Sequence, residues 1–179
     1  IPVIGAELEF YVPEGLAEQG VPDTLACLNP EGYPPEKERG STQYEIATQP
    51  QRDIHAFIAS LEALRQEITT TLKADFSAKP HADDYGNALH LHVHLEDSRG
   101  VNQFTRDAEG EYSKPMLYSI GGLLATMKEA LPIFSPHDRS RFETPGMHAP
   151  THLCWGPNNR SAALPLPVKP PNQTHISYH

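Results

Sequence analysis

From Ala88 to Leu95 the chain reads ALHLHVHL, with apolar and imidazole side chains alternating without a break. Only a two-residue period sorts such a string, so the segment is expected to be a strand. His90, His92 and His94 then share one face, and Leu91, Val93 and Leu95 the other. The same rule makes Glu7–Val12 (ELEFYV) a strand, with Leu8, Phe10 and Val12 opposite Glu7, Glu9 and Tyr11. Gln43–Thr48 is a third short strand carrying Glu45, and Thr151–Gly156 and Ala162–Val168 are two more, the last interrupted by Pro165 and Pro167.

Helical spacing occurs in two places. Between Asp53 and about Lys73, residues Ile54, Phe57, Ile58, Leu61, Leu64, Ile68 and Leu72 fall on one stripe, with Asp53 as cap or first-turn acid. A second helix is expected from Met116 to about Leu131, ended by Pro132. The Pro- and Gly-rich stretch from Pro13 to Gly40 reads as loop. Strands and helices are interspersed without a regular βαβ rhythm. The fold class is therefore α+β, with helices around an antiparallel sheet.

Length and composition narrow the function. The 179 residues suit one domain with a real core. A formal net charge of −9 argues against nucleic-acid or anionic-membrane partners, which need a cationic face. Cys27 and Cys154 are too few for a disulfide scaffold and too far apart for a zinc motif. The longest apolar stretch, Leu117–Met127, is too short to span a bilayer, and no secretory signal is visible, so a cytoplasmic location is expected. The chain opens on Ile1 and stops at His179, and both ends read as cut.

Several constellations carry chemistry. Glu7 and Glu9 project from one strand face, where like charges repel unless solvated, protonated or bridged by a cation. Carboxylate oxygens are the donors Mg²⁺ and Mn²⁺ prefer. Glu38 and Glu45 flank a turn in ERGSTQYE, and Glu45 shares a face with Gln43. The histidine triple fits a metal site of its own, a site shared with the carboxylates, or a polar strand face. In WGPNNRSAA, Arg160 stands after two asparagines, where a guanidinium can pair with a phosphate.

Taken in order, these strings resemble the glutamine synthetase family. GAELEF is similar to the family's G-x-E-x-E-F, ERGSTQYE to E-x-G-P-G-Q-x-E, GNALHLH to G-S-G-M-H-x-H, and WGPNNRSAA to W-G-x-x-N-R-S-A. The resemblance implies a partial catalytic domain over residues 1–179, built on a curved antiparallel sheet, without the family's small N-terminal domain. It implies ATP-dependent ligation of an amine, ammonia first among candidates, to the side-chain carboxylate of glutamate through an acyl phosphate. Two or more Mg²⁺ or Mn²⁺ ions and a parent that forms homo-oligomeric rings are implied as well.

Carried over by residue, Glu9, Glu38 and Glu45 match ligands of the metal beside the amino acid, and Glu7 and His90 ligands of the metal at the ATP phosphates. His92 matches a residue beside the nucleotide, Gly86 one beside the substrate amino group, and Arg160 a phosphate-binding arginine. Arg141, in HDRSRF, matches a catalytic, substrate-binding arginine of the family's N-S-Y-K-R with one residue inserted. Departures also stand out. Pro165 replaces a phosphate-binding arginine, Ser177 a metal-binding glutamate, His179 a substrate-binding arginine, His148 a glutamate linked to the ammonia site, and Tyr85 an asparagine. Three other readings remain open: a member that binds metal or nucleotide without turnover, a glutamyl ligase for another amine, and a histidine metal site in an unrelated barrel.

Overall fold

The computed structural model describes residues 1–17, 20–134, 150, 152–159, 161–167 and 175–178. Its chain divides into two compact units, Gly5–His90 and Ile1–Ile4 with Leu91–His179. The elements run β1 (Pro2–Tyr11), α1 (Glu14–Ala17), α2 (Val21–Leu28), β2 (Glu36–Lys37), β3 (Gln43–Ala47), α3 (Ile54–Leu72), β4 (Leu89–Leu95), α4 (Lys114–Phe134), β5 (His152–Pro157), β6 (Ala162–Leu166) and β7 (Ile176–Tyr178).

In the Gly5–His90 unit, β2, β3 and β1 lie side by side as antiparallel neighbours. The backbone of Glu9 donates to the Ala88 carbonyl just ahead of β4 at 3.0 Å. The β1–β3 register sets Leu8 opposite Ile46 and Phe10 opposite Tyr44, and all four are buried. Residues one step along turn to the other face, which is where Glu7, Glu9 and Glu45 stand.

Helix α3 begins where the sequence places it. Asp53 caps it by accepting from the amides of His55 and Ala56 at 2.9 and 3.1 Å, and Lys73 ends it in a left-handed conformation. Its stripe is only partly covered. Phe57, Leu64, Ile68 and Leu72 are buried, whereas Ile54 and Ile58 near the start are exposed.

The loop expected from Pro13 to Gly40 is corrected by the structure, since it holds α1, α2 and β2. Pro22 sits in the first turn of α2, where its missing N–H costs nothing, and Val21 and Leu25 bury one helical turn apart. Proline density there marks a helix start instead of a loop. Strand β1 is also longer than expected, beginning at Pro2.

In the second unit, β4 pairs antiparallel with β7, setting His92 opposite Ser177. Its core gathers Phe104, Met116, Ile120, Met127, Leu164 and Ile176. Two further expectations change here. Helix α4 begins at Lys114 and includes Pro132, so the proline that the sequence reads as a stop lies inside the helix. Strand β6 forms despite Pro165, and it pairs with β5 in parallel. No helix among the described residues is long and apolar enough to cross a membrane.

Candidate metal centre

The polar sheet face of the Gly5–His90 unit concentrates negative charge. Register sets Glu9 directly opposite Glu45 across β1 and β3, and Glu36 opposite Glu45 across β2 and β3. Paired residues share a face in an antiparallel sheet, so three carboxylates form a row. Glu7, two residues before Glu9, adds a fourth on that face. His90, the second residue of β4, brings its Nδ1 to 3.4 Å from Glu7 Oε2.

Glu7, Glu45 and His90 each offer one donor atom, and these atoms lie within 4.8 Å of one another. All three are half-buried. An imidazole and two carboxylates at that spacing fit a divalent cation, whose ligand bonds are about 2.0–2.6 Å long. The structure thus groups Glu45 with Glu7 and His90, a partition that differs from the two ligand sets the resemblance implies.

Glu9 has a second set of neighbours. Its Oε2 accepts from the Ala88 amide at 3.0 Å and from Gln43 Nε2 at 3.2 Å. Burial pushes the Glu9 carboxyl up to about 7, with nearby His90 pulling the other way and Glu38 and Glu7 adding to the rise. Burial likewise pushes Glu45 up to about 8, reinforced by Glu7, Glu9, Glu38 and Glu36. Carboxyls this far from their ordinary range are poised either to hold a proton or to receive a cation.

Gln43 ties the loops of the site together from a buried position. Its Nε2 also donates to the Gly86 carbonyl at 2.9 Å and to Asn87 Oδ1 at 3.1 Å, while its Oε1 accepts from the Gly40 amide. Asn87, buried in turn, donates to the carbonyls of Asp75 and Ser77. Gly86 therefore enters the site through its backbone.

The turn carrying Glu38 is pinned as well. Lys37 Nζ donates to the carbonyls of Glu38, Gly40 and Gln43, so its charge is spent on the turn instead of on the carboxylate row. Gly40 packs against Tyr11, whose hydroxyl donates to the Tyr85 carbonyl at 2.9 Å. A Cβ at Gly40 would overlap the Tyr11 hydroxyl and come within 2.9 Å of Gln43 Cβ. Gly40→Ala is expected to destabilise the chain by about 1–3 kcal/mol in a urea melt, with Tyr11→Phe restoring part of the loss. An unchanged midpoint would show that the turn yields freely.

Asp84 accepts from the amides of Ser41 at 2.9 Å and Tyr85 at 2.8 Å. Burial opposes its ionisation, yet those amides outweigh burial and hold the carboxyl below its ordinary range. A cavity of about 720 Å³ in this unit is lined by Tyr11, Ser41, Thr42, Asp75, His81 and Asp84, among others.

In the second unit, His92 Nδ1 lies 2.9 Å from Ser177 Oγ, and the rings of His92 and His175 meet edge to face at 5.0 Å. His94 Nε2 lies 3.3 Å from Glu96 Oε1. Pro165 is buried within β6. Arg141, His148, Arg160 and His179 lie outside the described residues.

Glu36 and Asn87 escaped the sequence reading. Glu36 had a signal, because Glu36 and Glu38 repeat the two-residue carboxylate spacing of Glu7 and Glu9, inside a stretch read as loop. Asn87 had none, since its role depends on loops that meet only in three dimensions.

A carboxylate-rich strand pair, a tethered glycine loop and a histidine strand together point to one group of proteins. Residues 28–179 match the family described as glutamine synthetase, catalytic domain. The chain belongs to this family.

Among relatives, it is 34% identical over 109 residues to gamma-glutamylputrescine synthetase PuuA of Escherichia coli, covering 60% of this chain and 23% of that protein. It is 38% identical over 108 residues to the glutamine synthetase of Pyrococcus horikoshii, covering 60% and 24%. The match thus spans about a quarter of the length of these relatives. The cryo-EM structure of Plasmodium falciparum glutamine synthetase superposes with a TM-score of 0.80 at 19% identity, over 99% of this chain and 47% of the other. That likeness shows the fold, which is the α+β architecture of the family.

Proposed function

We propose that the polar sheet face of the Gly5–His90 unit is the divalent-metal centre of an ATP-dependent carboxylate–amine ligase acting on glutamate. The convergence of Glu7, Glu45 and His90 carries this reading. Glu9 and Glu38 complete the ligand set, and the ions held there are Mg²⁺ or Mn²⁺. When bound, these ions offset charge on the transferring phosphoryl group and its leaving oxygen.

The reaction follows from the weakness of a carboxylate as an electrophile. A glutamate side-chain oxygen attacks the γ-phosphorus of ATP, ADP leaves, and the amine nitrogen then attacks the acyl carbon and displaces phosphate. Gly86 and Arg141 are assigned to the amino-acid substrate, with Arg141 and Arg160 as the catalytic arginines. His92 and Arg160 are assigned to the nucleotide. The amine is ammonia in the first reading and a larger amine in the second, which the likeness to a gamma-glutamylputrescine synthetase favours. A homo-oligomeric, cytoplasmic parent belongs to the same proposal.

Two observations favour weak turnover by this chain as it stands. Pro165 offers no donor, and Ser177 is buried against His92 without a carboxylate. Loss of one group that stabilises the transferring charge commonly costs about 2.7–4 kcal/mol, or 10²–10³ in rate. The expected result is saturable Mn²⁺ binding together with ATP- and glutamate-dependent phosphate release at least about 100-fold below that of a complete glutamine synthetase. Ammonium and putrescine are assayed in parallel to assign the amine. An absence of saturable Mn²⁺ binding sinks the metal centre, and fast turnover with either amine sinks the expectation of weak catalysis.

A further inference from the structure

We infer that Ser177 fixes the tautomer of His92, making this imidazole a hydrogen-bond donor through Nε2 and not a metal ligand. Ser177 stands directly opposite His92 in the β4–β7 register and is only 1% exposed. A buried hydroxyl keeps its proton in a hydrogen bond, since an unsatisfied donor costs free energy. His92 Nδ1, at 2.9 Å, is the acceptor that Ser177 Oγ has among the described residues. With the hydroxyl donating, the Nδ1 lone pair is occupied and the ring proton resides on Nε2.

The edge-to-face contact with His175, its ring plane at 90° to that of His92, limits rotation of the ring about this bond. His92 is thereby held in orientation and in protonation pattern by the strand beside it. The alternating histidines of β4 then divide their labour. His90 keeps company with carboxylates and has the environment of a metal ligand. His92, with one nitrogen accepting from serine and the other carrying hydrogen, has no lone pair left for a cation. It presents a donor suited to an anionic or carbonyl oxygen. Ser177 is accordingly a positioning residue, acting through His92.

The consequence for nucleotide binding rests on the ligase reading, whereas the tautomer itself does not. The test therefore has two arms. In the first, long-range ¹H–¹⁵N spectra of the full ¹⁵N-labelled chain, recorded without metal or nucleotide, report the protonation of each His92 nitrogen. The expected spectrum shows a protonated Nε2 and an unprotonated, hydrogen-bonded Nδ1. In Ser177→Ala the pattern should relax to a mixture of tautomers, and Ser177→Thr should restore the single form. A protonated Nδ1 in the wild-type chain, or an Ala variant with the wild-type spectrum, overturns the inference. No variant needs to fold for the wild-type measurement to decide.

In the second arm, affinity for a non-hydrolysable ATP analogue is measured with Mg²⁺ present. Ser177→Ala is expected to weaken it by about tenfold, the effect of one well-formed hydrogen bond, with Ser177→Thr near wild type and the thermal midpoints of the variants compared alongside. A correct tautomer with unaltered nucleotide affinity in Ser177→Ala rejects the nucleotide role of His92 and leaves the tautomer assignment standing.

Discussion

Glu45→Gln should weaken Mn²⁺ binding by at least about 100-fold while making the metal-free protein more stable at pH 8. Both effects come from the same geometry. Glu45 lies between Glu9 and Glu36 in the cross-strand register and contributes one of the three converging donor atoms. Changes merely behind a metal ligand commonly cost about 10–100-fold in affinity, so losing a direct anionic ligand costs at least the upper end. Without a cation, the same carboxylate is a liability, because it faces like charges in a partly dehydrated row. Glutamine keeps the size and removes the charge. Calorimetric Mn²⁺ titration and thermal melts in chelator check the two halves. Weakened binding with an equally destabilised apo protein would mean that Glu45 is a structural residue instead. Glu36→Gln is the companion control: Glu36 is exposed and outside the converging trio, so its loss should shift affinity far less.

The second large effect is a fall in the stability of the metal-free chain as pH rises. Unfolded, Glu9 and Glu45 titrate near 4.5; folded, they titrate at about 7 and about 8. Between those limits the native state binds more protons than the unfolded chain, so stability decreases with rising pH. The contribution is fully present below about pH 4.5 and is lost as pH rises through about 7 for Glu9 and about 8 for Glu45. For Glu9 alone, a rise from 4.5 to about 7 corresponds to about 3 kcal/mol. The two residues share the same repulsions, so their effects are not additive.

Mn²⁺ should reverse the trend, stabilising little at pH 5 and strongly at pH 8, where Glu9 is mostly ionised and Glu45 partly so. At a metal concentration about 100 times the dissociation constant, mass action gives about 2.7 kcal/mol. Urea melts at pH 5, 6.5 and 8, with chelator or with Mn²⁺, contain the whole comparison. A chelated protein equally stable at pH 5 and pH 8 contradicts the buried-carboxylate picture, and a melt indifferent to Mn²⁺ at pH 8 contradicts the metal centre.

How much of this was legible beforehand depended on whether a feature is local. The strand containing Glu7 and Glu9, the strand containing Glu45, the histidine strand and the Asp53-capped helix were all readable. Each is specified by its own periodicity or by a side chain two or three residues away. The segment from Pro13 to Gly40 is not legible in this way, because proline reads as a breaker, whereas Pro22 opens a helix whose Val21 and Leu25 are held by burial. Pro132 reads as a stop, yet α4 continues to Phe134.

By itself the sequence determined which residues carry charge, which strands have a polar face and, through four ordered motifs, the family. It could not say which carboxylates meet. Intrastrand spacing places Glu7 and Glu9 on one face, but no spacing within a strand brings Glu45 and His90 to Glu7. Only the pairing register of separate strands decides that, and a shift of one residue would turn the whole set away. The same holds for Ser177 and His92, 85 positions apart in the chain and joined by a 2.9 Å hydrogen bond. The raised titration of Glu9 and Glu45 is likewise a property of the fold, because burial and neighbouring charge come into being only when the sheet closes around them.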